Sequence, residues 1–127
     1  MFTALAIIER AYRGSVEIQF ADVLYKAREF NRQLGRLDVA LRGLAVTYAV
    51  EGQFDPSLHL GPRPLDTLPD GRRSVKDMLD DGITVYADGP DLAALGVEQG
   101  RVIPGVRCDD TGDLARRWAQ YDAVWFL

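Results

Sequence analysis

The residues best placed to do chemistry are two carboxylates, Asp88 and Asp91, which enclose a Gly-Pro turn after a predicted strand. Carboxylates this close together can act as acid and base, and ligands of α/β proteins bind beyond the carboxyl ends of strands. A hard metal ion would need more oxygen ligands than two. A structural role is also open, because Asp88 can cap the helix that Pro90 begins. We predict that Asp88, Gly89 and Asp91 bind a ligand, and we predict no metal site.

The chain has one thiol, Cys108, and one histidine, His59. A lone cysteine becomes a nucleophile when a histidine activates it, and this pairing requires the proline-rich stretch around His59 to fold over the cysteine. Cys108 also follows Val106 on a predicted short strand, where free cysteines are often buried. We therefore predict no catalytic residue, keep Cys108 as the alternative, and leave enzymatic activity open.

A third polar group lies at residues 10–15, between the first predicted strand and the first predicted helix. The free N–H groups that begin a helix, a serine hydroxyl and two arginines suit an anion or a phosphate. The stretch lacks the glycine-rich phosphate-binding fingerprints, and a surface loop with a capping serine explains it as well. We predict that Arg13, Gly14 and Ser15 bind a ligand.

Strands alternate with helices along the predicted chain. The apolar run Phe2–Ile8 is typical of a central parallel strand that is covered on both faces. Apolar residues spaced three and four apart over residues 16–34 predict a helix that Ser15 caps and Gly35 ends. The other predicted elements are strands at Leu37–Leu41, Ile83–Ala87, Val106–Cys108 and Asp122–Leu127, and helices at Gly43–Val50, Ser74–Asp80, Pro90–Gly96 and Leu114–Ala119. This alternation predicts an α/β fold of three α/β/α layers, with a mainly parallel sheet of about five strands.

Residues 53–72 contain four of the six prolines and show neither a strand period nor a helix period. A loop of this length in a compact domain is either functional or mobile. It can be an exposed excursion, a lid, or an arm that docks on a neighbouring subunit, and the sequence leaves these alternatives open.

The turn at Asp88–Asp91 resembles that of the DsrE-like sulfur-relay family of small α/β proteins, many of which carry Cys-Gly-Pro-Cys or a similar turn after this strand. Gly89 and Pro90 match, whereas aspartates stand at both cysteine positions. Leu95 replaces the usual arginine before Gly96. The other segments that fit the family are Arg13–Ser15, Leu41–Val50, Ile103–Val106 and Leu114–Leu127. The resemblance spans most of the chain and implies a DsrE-like, flavodoxin-like architecture that assembles as a trimer or hexamer, with the crevice near subunit contacts.

Composition and charge narrow the class of protein. The chain has 127 residues, 47% hydrophobic and 27% charged, which predicts a single globular domain over residues 1–127. A net charge of −4 without a clustered basic face predicts no nucleic-acid partner, and one cysteine excludes an internal disulfide. Phe2–Ile8 is too short to span a membrane and has no basic leader, so we expect a cytoplasmic protein without a membrane partner.

These observations favour a binding protein over an enzyme. A persulfide carrier needs a thiolate, which aspartates at positions 88 and 91 cannot supply. We therefore expect a non-catalytic, DsrE-like accessory protein that forms a homo-oligomer, binds a small anionic ligand or a partner protein, and needs no cofactor. The alternatives are a sulfur carrier or transferase-like enzyme that uses Cys108, and a nucleotide- or anion-binding protein that uses residues 10–15.

Overall fold

A computed structural model of the chain describes residues 1–11, 22–52, 58–65, 70–111 and 114–127. The strands are β1 (Ala4–Ile8), β2 (Leu37–Leu41), β3 (Leu58–Leu60), β4 (Arg63–Leu65), β5 (Val85–Asp88), β6 (Arg107–Asp109) and β7 (Ala123–Phe126). The α-helices are α1 (Val23–Leu34), α2 (Gly71–Asp80) and α3 (Gly89–Ala94). Three 3₁₀ helices span Gly43–Ala49, Gln99–Arg101 and Leu114–Gln120.

Five of the strands form one parallel sheet in the order β6-β5-β2-β1-β7. The central pair β1 and β2 aligns Ala4 with Leu37 and Ile8 with Leu41. Strands β3 and β4 form a separate antiparallel hairpin. The predicted α/β fold with a mainly parallel five-stranded sheet is confirmed.

The two faces of the central sheet bury different sets of side chains, because successive residues of a strand point to opposite faces. One side, which we call the α face, packs against α1, α2, α3 and the 3₁₀ helix Gly43–Ala49. Its buried strand residues are Ala4, Ala6, Ile8, Leu37, Val39, Leu41, Val85 and Ala87. The opposite side, the 3₁₀ face, packs against the 3₁₀ helix Leu114–Gln120, and its buried strand residues are Leu5, Ile7, Ala40 and Tyr86.

Two predicted helices differ from the structure. The predicted single helix from Ser15 is not continuous, because the backbone of Asp22 is extended and its side chain accepts hydrogen bonds from the N–H groups of Leu24 and Tyr25. Ser15 itself lies outside the described residues. Helix α2 begins at Gly71 rather than at Ser74, because the carboxylate of Asp70 accepts from the N–H of Arg72 and caps the helix earlier.

The predicted loop over residues 53–72 contains secondary structure that the sequence did not indicate. Strands β3 and β4 pair through His59 and Pro64, and Gly61 in the connecting turn has a φ of 63°. Three-residue strands are too short for a period of two to be recognised in the sequence. The prediction that this whole stretch lacks strands is therefore wrong for residues 58–65.

Position 71 has room only for glycine, because a β-carbon there would overlap the buried ring of Tyr48. We expect Gly71→Ala to lower the free energy of unfolding by about 1–3 kcal/mol, as overpacking of a core does. Gly100→Ala is the matched control because no heavy atom lies within 4 Å of its β-carbon position. Urea unfolding of both variants measures the effect, and equal losses of stability would contradict the predicted overlap.

Candidate functional site

The topology of this sheet predicts a ligand crevice between the carboxyl ends of β5 and β6. After β5 the chain enters α3, whose Leu92 is buried on the α face. After β6 it runs to the 3₁₀ helix Leu114–Gln120, whose Leu114 is buried on the opposite face. In parallel α/β sheets, ligand crevices form where neighbouring strands send their connections to opposite faces. Asp88 and Asp109 are aligned in register across this point.

Asp88 ends β5 and caps α3. One of its carboxylate oxygens, Oδ2, accepts a hydrogen bond from the backbone N–H of Asp91 at 3.1 Å, and Pro90 stands in the first turn. The side chain satisfies a donor that the start of a helix leaves unpaired. The expected capping role of Asp88 is confirmed, and its role in binding a ligand stays a prediction.

Asp91 joins α3 to the start of the 3₁₀ helix Gly43–Ala49, which follows β2. Its Oδ2 atom accepts from the backbone N–H of Gly43 at 2.7 Å. Gly43 adopts a φ of 54°, and a β-carbon there would lie 3.3 Å from the carbonyl oxygen of Glu9. The Asp91 carboxylate therefore sits where the ends of β1, β2 and β5 converge.

Asp109 is held by a different set of donors on the other side of the crevice. Its Oδ1 atom accepts from the hydroxyl of Thr111 at 2.6 Å and from the Thr111 N–H at 3.1 Å. The Nε atom of Arg117 lies 3.4 Å from the Oδ2 atom of Asp109. The same guanidinium lies over the ring of Tyr86, 5.0 Å from its centroid. Asp109 thus ties the 3₁₀ helix to the carboxyl end of β6.

The two aligned carboxyls have opposite electrostatic environments. Burial raises the pKa of Asp88, and the nearby carboxyl of Asp91 adds to this effect, whereas the Asp91 N–H and the charge of Arg42 oppose it. The hydroxyl hydrogen bond from Thr111 lowers the pKa of Asp109, and Arg117 lowers it further. The site therefore pairs a carboxyl that resists ionisation with one that favours it.

Gly89 lets the loop after β6 approach the start of α3. A β-carbon at position 89 would lie 2.6 Å from Oδ1 of Asp110 and 2.7 Å from the carbonyl oxygen of Asp109. The side chain of Gln99 donates a hydrogen bond to the same Asp110 oxygen. Sequence reasoning did not assign Asp109 and Asp110 to the site. Their only signal was a pair of adjacent carboxylates immediately after a predicted strand.

Cys108 lies on β6 opposite Ala87 and packs against the α-face core, away from the side chains of Tyr86 and Asp109. Its thiol is half-buried, and burial together with the negative charge of Asp110 raises its pKa. His59 lies on the β3–β4 hairpin, which is not part of the central sheet. The structure thus does not place Cys108 in an environment that activates a thiol.

The remaining predicted site residues, Arg13, Gly14 and Ser15, lie outside the described residues, so their role stays a prediction. Within the described ranges, histidine, cysteine and acidic side chains form no group of three or more that could hold a metal ion. In the same ranges, none of the helices has the length and apolar character needed to cross a membrane.

Solved structures share this fold, including the following two. The ychN protein from E. coli matches with a TM-score of 0.76 at 19% sequence identity, covering 100% of both chains. MTH1491 from Methanobacterium thermoautotrophicum, a protein of unknown function, matches with a TM-score of 0.64 at 13% identity, covering 97% of this chain and 96% of its own. These likenesses establish the fold alone, and they support the DsrE-like fold expected from the sequence. No family model matches the chain, and no curated protein matches it.

The raised pKa of Asp88 predicts a specific pH dependence of stability. A carboxyl whose pKa is raised by folding contributes stability that is present below its unfolded value of 3.8 and is lost as the pH rises through the folded value. Asp88→Asn keeps a good helix cap. It also removes the carboxyl whose ionisation causes this loss of stability. We expect its free energy of unfolding, relative to the wild type, to increase between about pH 4 and pH 7.

Asp109→Asn is the matched control for that measurement. Its lowered pKa gives stability that is present above 3.8 and is lost as the pH falls through the folded value. We therefore expect this variant to be less stable than the wild type at pH 7. If the free energies of unfolding of Asp88→Asn and the wild type differ by the same amount at every pH, the predicted rise in the pKa of Asp88 is contradicted.

The hydrogen bond from Gly43 to Asp91 predicts a graded effect of substitutions at position 91. Asp91→Ala removes the acceptor and is expected to lower the free energy of unfolding by about 1 kcal/mol. Asp91→Asn keeps an oxygen acceptor and should lose less than half of that amount. Chemical unfolding of both variants is the measurement, and equal losses would show that the contact does not stabilise the fold.

Proposed function

We propose that this chain is a non-catalytic DsrE-like protein that forms a homo-oligomer and binds a small ligand or a partner protein beyond the carboxyl ends of its strands. The observation that carries the proposal is the use of both turn carboxylates as backbone acceptors. Asp88 accepts from the N–H of Asp91, and Asp91 accepts from the N–H of Gly43. Side chains used in this way hold the turn in place, and this supports a binding role over group transfer.

The state of Cys108 supports a binding role over sulfur transfer. A sulfur carrier needs a thiolate that a donor can reach. Burial and the charge of Asp110 raise the pKa of the Cys108 thiol, which favours the unreactive protonated form. The side chain also packs against the α-face core.

The chemistry of the proposed ligand differs between the two candidate positions. Asp88, Asp109 and Asp110 lie at the predicted crevice, at the carboxyl ends of β5 and β6. Among the described residues, the structure pairs only Asp109 of these three with a cation. This end of the crevice favours a ligand or partner surface that offers hydrogen-bond donors. The small anionic ligand is proposed for residues 10–15, through Arg13 and Ser15. The proposed location is the cytoplasm, where a single free thiol is ordinary.

Thiol labelling tests the non-catalytic role. We expect an aromatic disulfide reagent to modify Cys108 in the native protein at least tenfold more slowly than in the urea-unfolded protein, because the thiol is half-buried and protonated. Tyr25→Cys in a Cys108→Ser background is the control, since Tyr25 is exposed on α1 and its replacement should react promptly. Incubation with a sulfane-sulfur donor followed by mass spectrometry should add no persulfide to Cys108.

The proposal would be overturned if Cys108 in the native protein reacts with the reagent as fast as the thiol of the control variant does. It would also be overturned if the sulfane-sulfur donor adds a persulfide to Cys108 as fast as to that thiol. The sulfur-carrier alternative would then be favoured. The assembly state is measured separately, so it does not affect this result.

A further inference from the structure

The two edges of the central sheet differ in charge. At one edge, β6 carries Arg107 and Asp109. At the other edge, β7 and the residue after it, Ala123–Leu127, contain no charged side chain and no proline. Natural proteins discourage unwanted strand pairing by placing charges or prolines on edge strands. The edge at β7 has neither of these protections.

The backbone of β7 has hydrogen-bonding groups that point away from the sheet. The N–H of Ala123 donates to the carbonyl of Thr3, and the N–H of Leu127 donates to that of Ile7. Since alternate residues of a parallel strand bond to the same neighbour, Val124 and Phe126 direct their N–H and C=O groups to the open edge. No other described strand pairs with this side of β7.

Aromatic side chains surround the same edge on both faces of the sheet. Phe126 is 60% exposed and Phe2 is 44% exposed. On the α face the ring of Trp125 lies 6.5 Å from Phe2, and on the 3₁₀ face the ring of Trp118 lies 5.8 Å from Phe126. Aromatic residues concentrated at an uncharged surface are typical of protein interfaces.

We propose that the outer edge of β7 pairs with β7 of a second copy of this chain. The pairing is antiparallel about a two-fold axis at Trp125, so that Val124 exchanges N–H···O bonds with Phe126 of the partner subunit. An uncharged strand is compatible with its own copy because no like charges oppose each other. The exposed faces of Phe2 and Phe126 would be covered at the same contact. The inference rests on the homo-oligomer of the proposed function and names its surface.

Light scattering coupled to size-exclusion chromatography tests the pairing on the full chain. We expect Phe126→Lys, which places a charge on the edge, to halve the molar mass of the wild-type assembly. Val124→Pro should do the same, because it removes an outward N–H and leaves the bonds to β1 in place. Tyr25→Lys, a charge at an equally exposed aromatic residue of α1, is the matched control and should keep the wild-type mass. Circular dichroism identifies any variant that does not fold.

A cross-link provides a second measurement that does not depend on loss of assembly. Residues in a hydrogen-bonded antiparallel pair have Cα atoms about 5.5 Å apart, which suits a disulfide. We expect Val124→Cys with Phe126→Cys, in a Cys108→Ser background, to give a covalent dimer on oxidation. Tyr25→Cys in the same background should stay uncross-linked.

Three outcomes separate this inference from the proposed function. An assembled wild type that is halved by the edge variants and cross-linked by the cysteine pair supports the β7 interface. An assembled wild type that the edge variants leave intact, without a cross-link, overturns the interface and keeps the homo-oligomer. A monomeric wild type overturns both the interface and the homo-oligomer, while the non-catalytic role is decided by thiol labelling.

Discussion

The carboxyl ends of the strands, where the candidate site lies, depend on two successive hydrogen bonds to carboxylates. Asp88 holds the N–H of Asp91, and Asp91 holds the N–H of Gly43. The first bond fixes α3 at the end of β5, and the second fixes α3 against the chain that leaves β2. Because the bonds share Asp91, the geometry of one constrains the other. The position of α3 at the ends of β2 and β5 therefore follows from how these carboxylates are held.

Carboxylates at these two positions have a physical consequence that thiols would not have. An ionised carboxylate offers two strong acceptor oxygens, whereas a cysteine sulfur is a weak acceptor. Aspartate at positions 88 and 91 thus anchors the turn more firmly than cysteine could. Aspartate at position 88 also places an ionisable carboxyl in a buried position, and this burial raises its pKa. The turn is built to hold its shape, and this agrees with a binding role rather than group transfer.

The sequence predicts well the parts of this fold that depend on local patterns. Strand β1 was recognisable because burial on both faces makes it apolar throughout, and the cap of α3 was recognisable because Asp88 precedes Gly89-Pro90. The site residues that the sequence missed depend on distant contacts. Asp109 and Asp110 meet Gly89 only after β5 and β6 pair. Apolar spacing also continued through Asp22 without a break, although its extended backbone starts the helix there.

On the 3₁₀ face, one short 3₁₀ helix lies between the candidate site and the open edge of the sheet at β7. In the 3₁₀ helix Leu114–Gln120, Leu114 is buried and Trp118 packs partly buried beside it, and polar contacts add to this apolar anchoring. From the middle of the helix Arg117 contacts Asp109, and just beyond its C-terminal end the hydroxyl of Tyr121 donates to the buried carboxylate of Asp38 at 2.6 Å. Burial and this hydrogen bond raise the pKa of Tyr121, so the phenol stays a donor. The helix therefore contacts both places: Arg117 reaches the carboxyl end of β6, and Trp118 packs against Phe126 of β7.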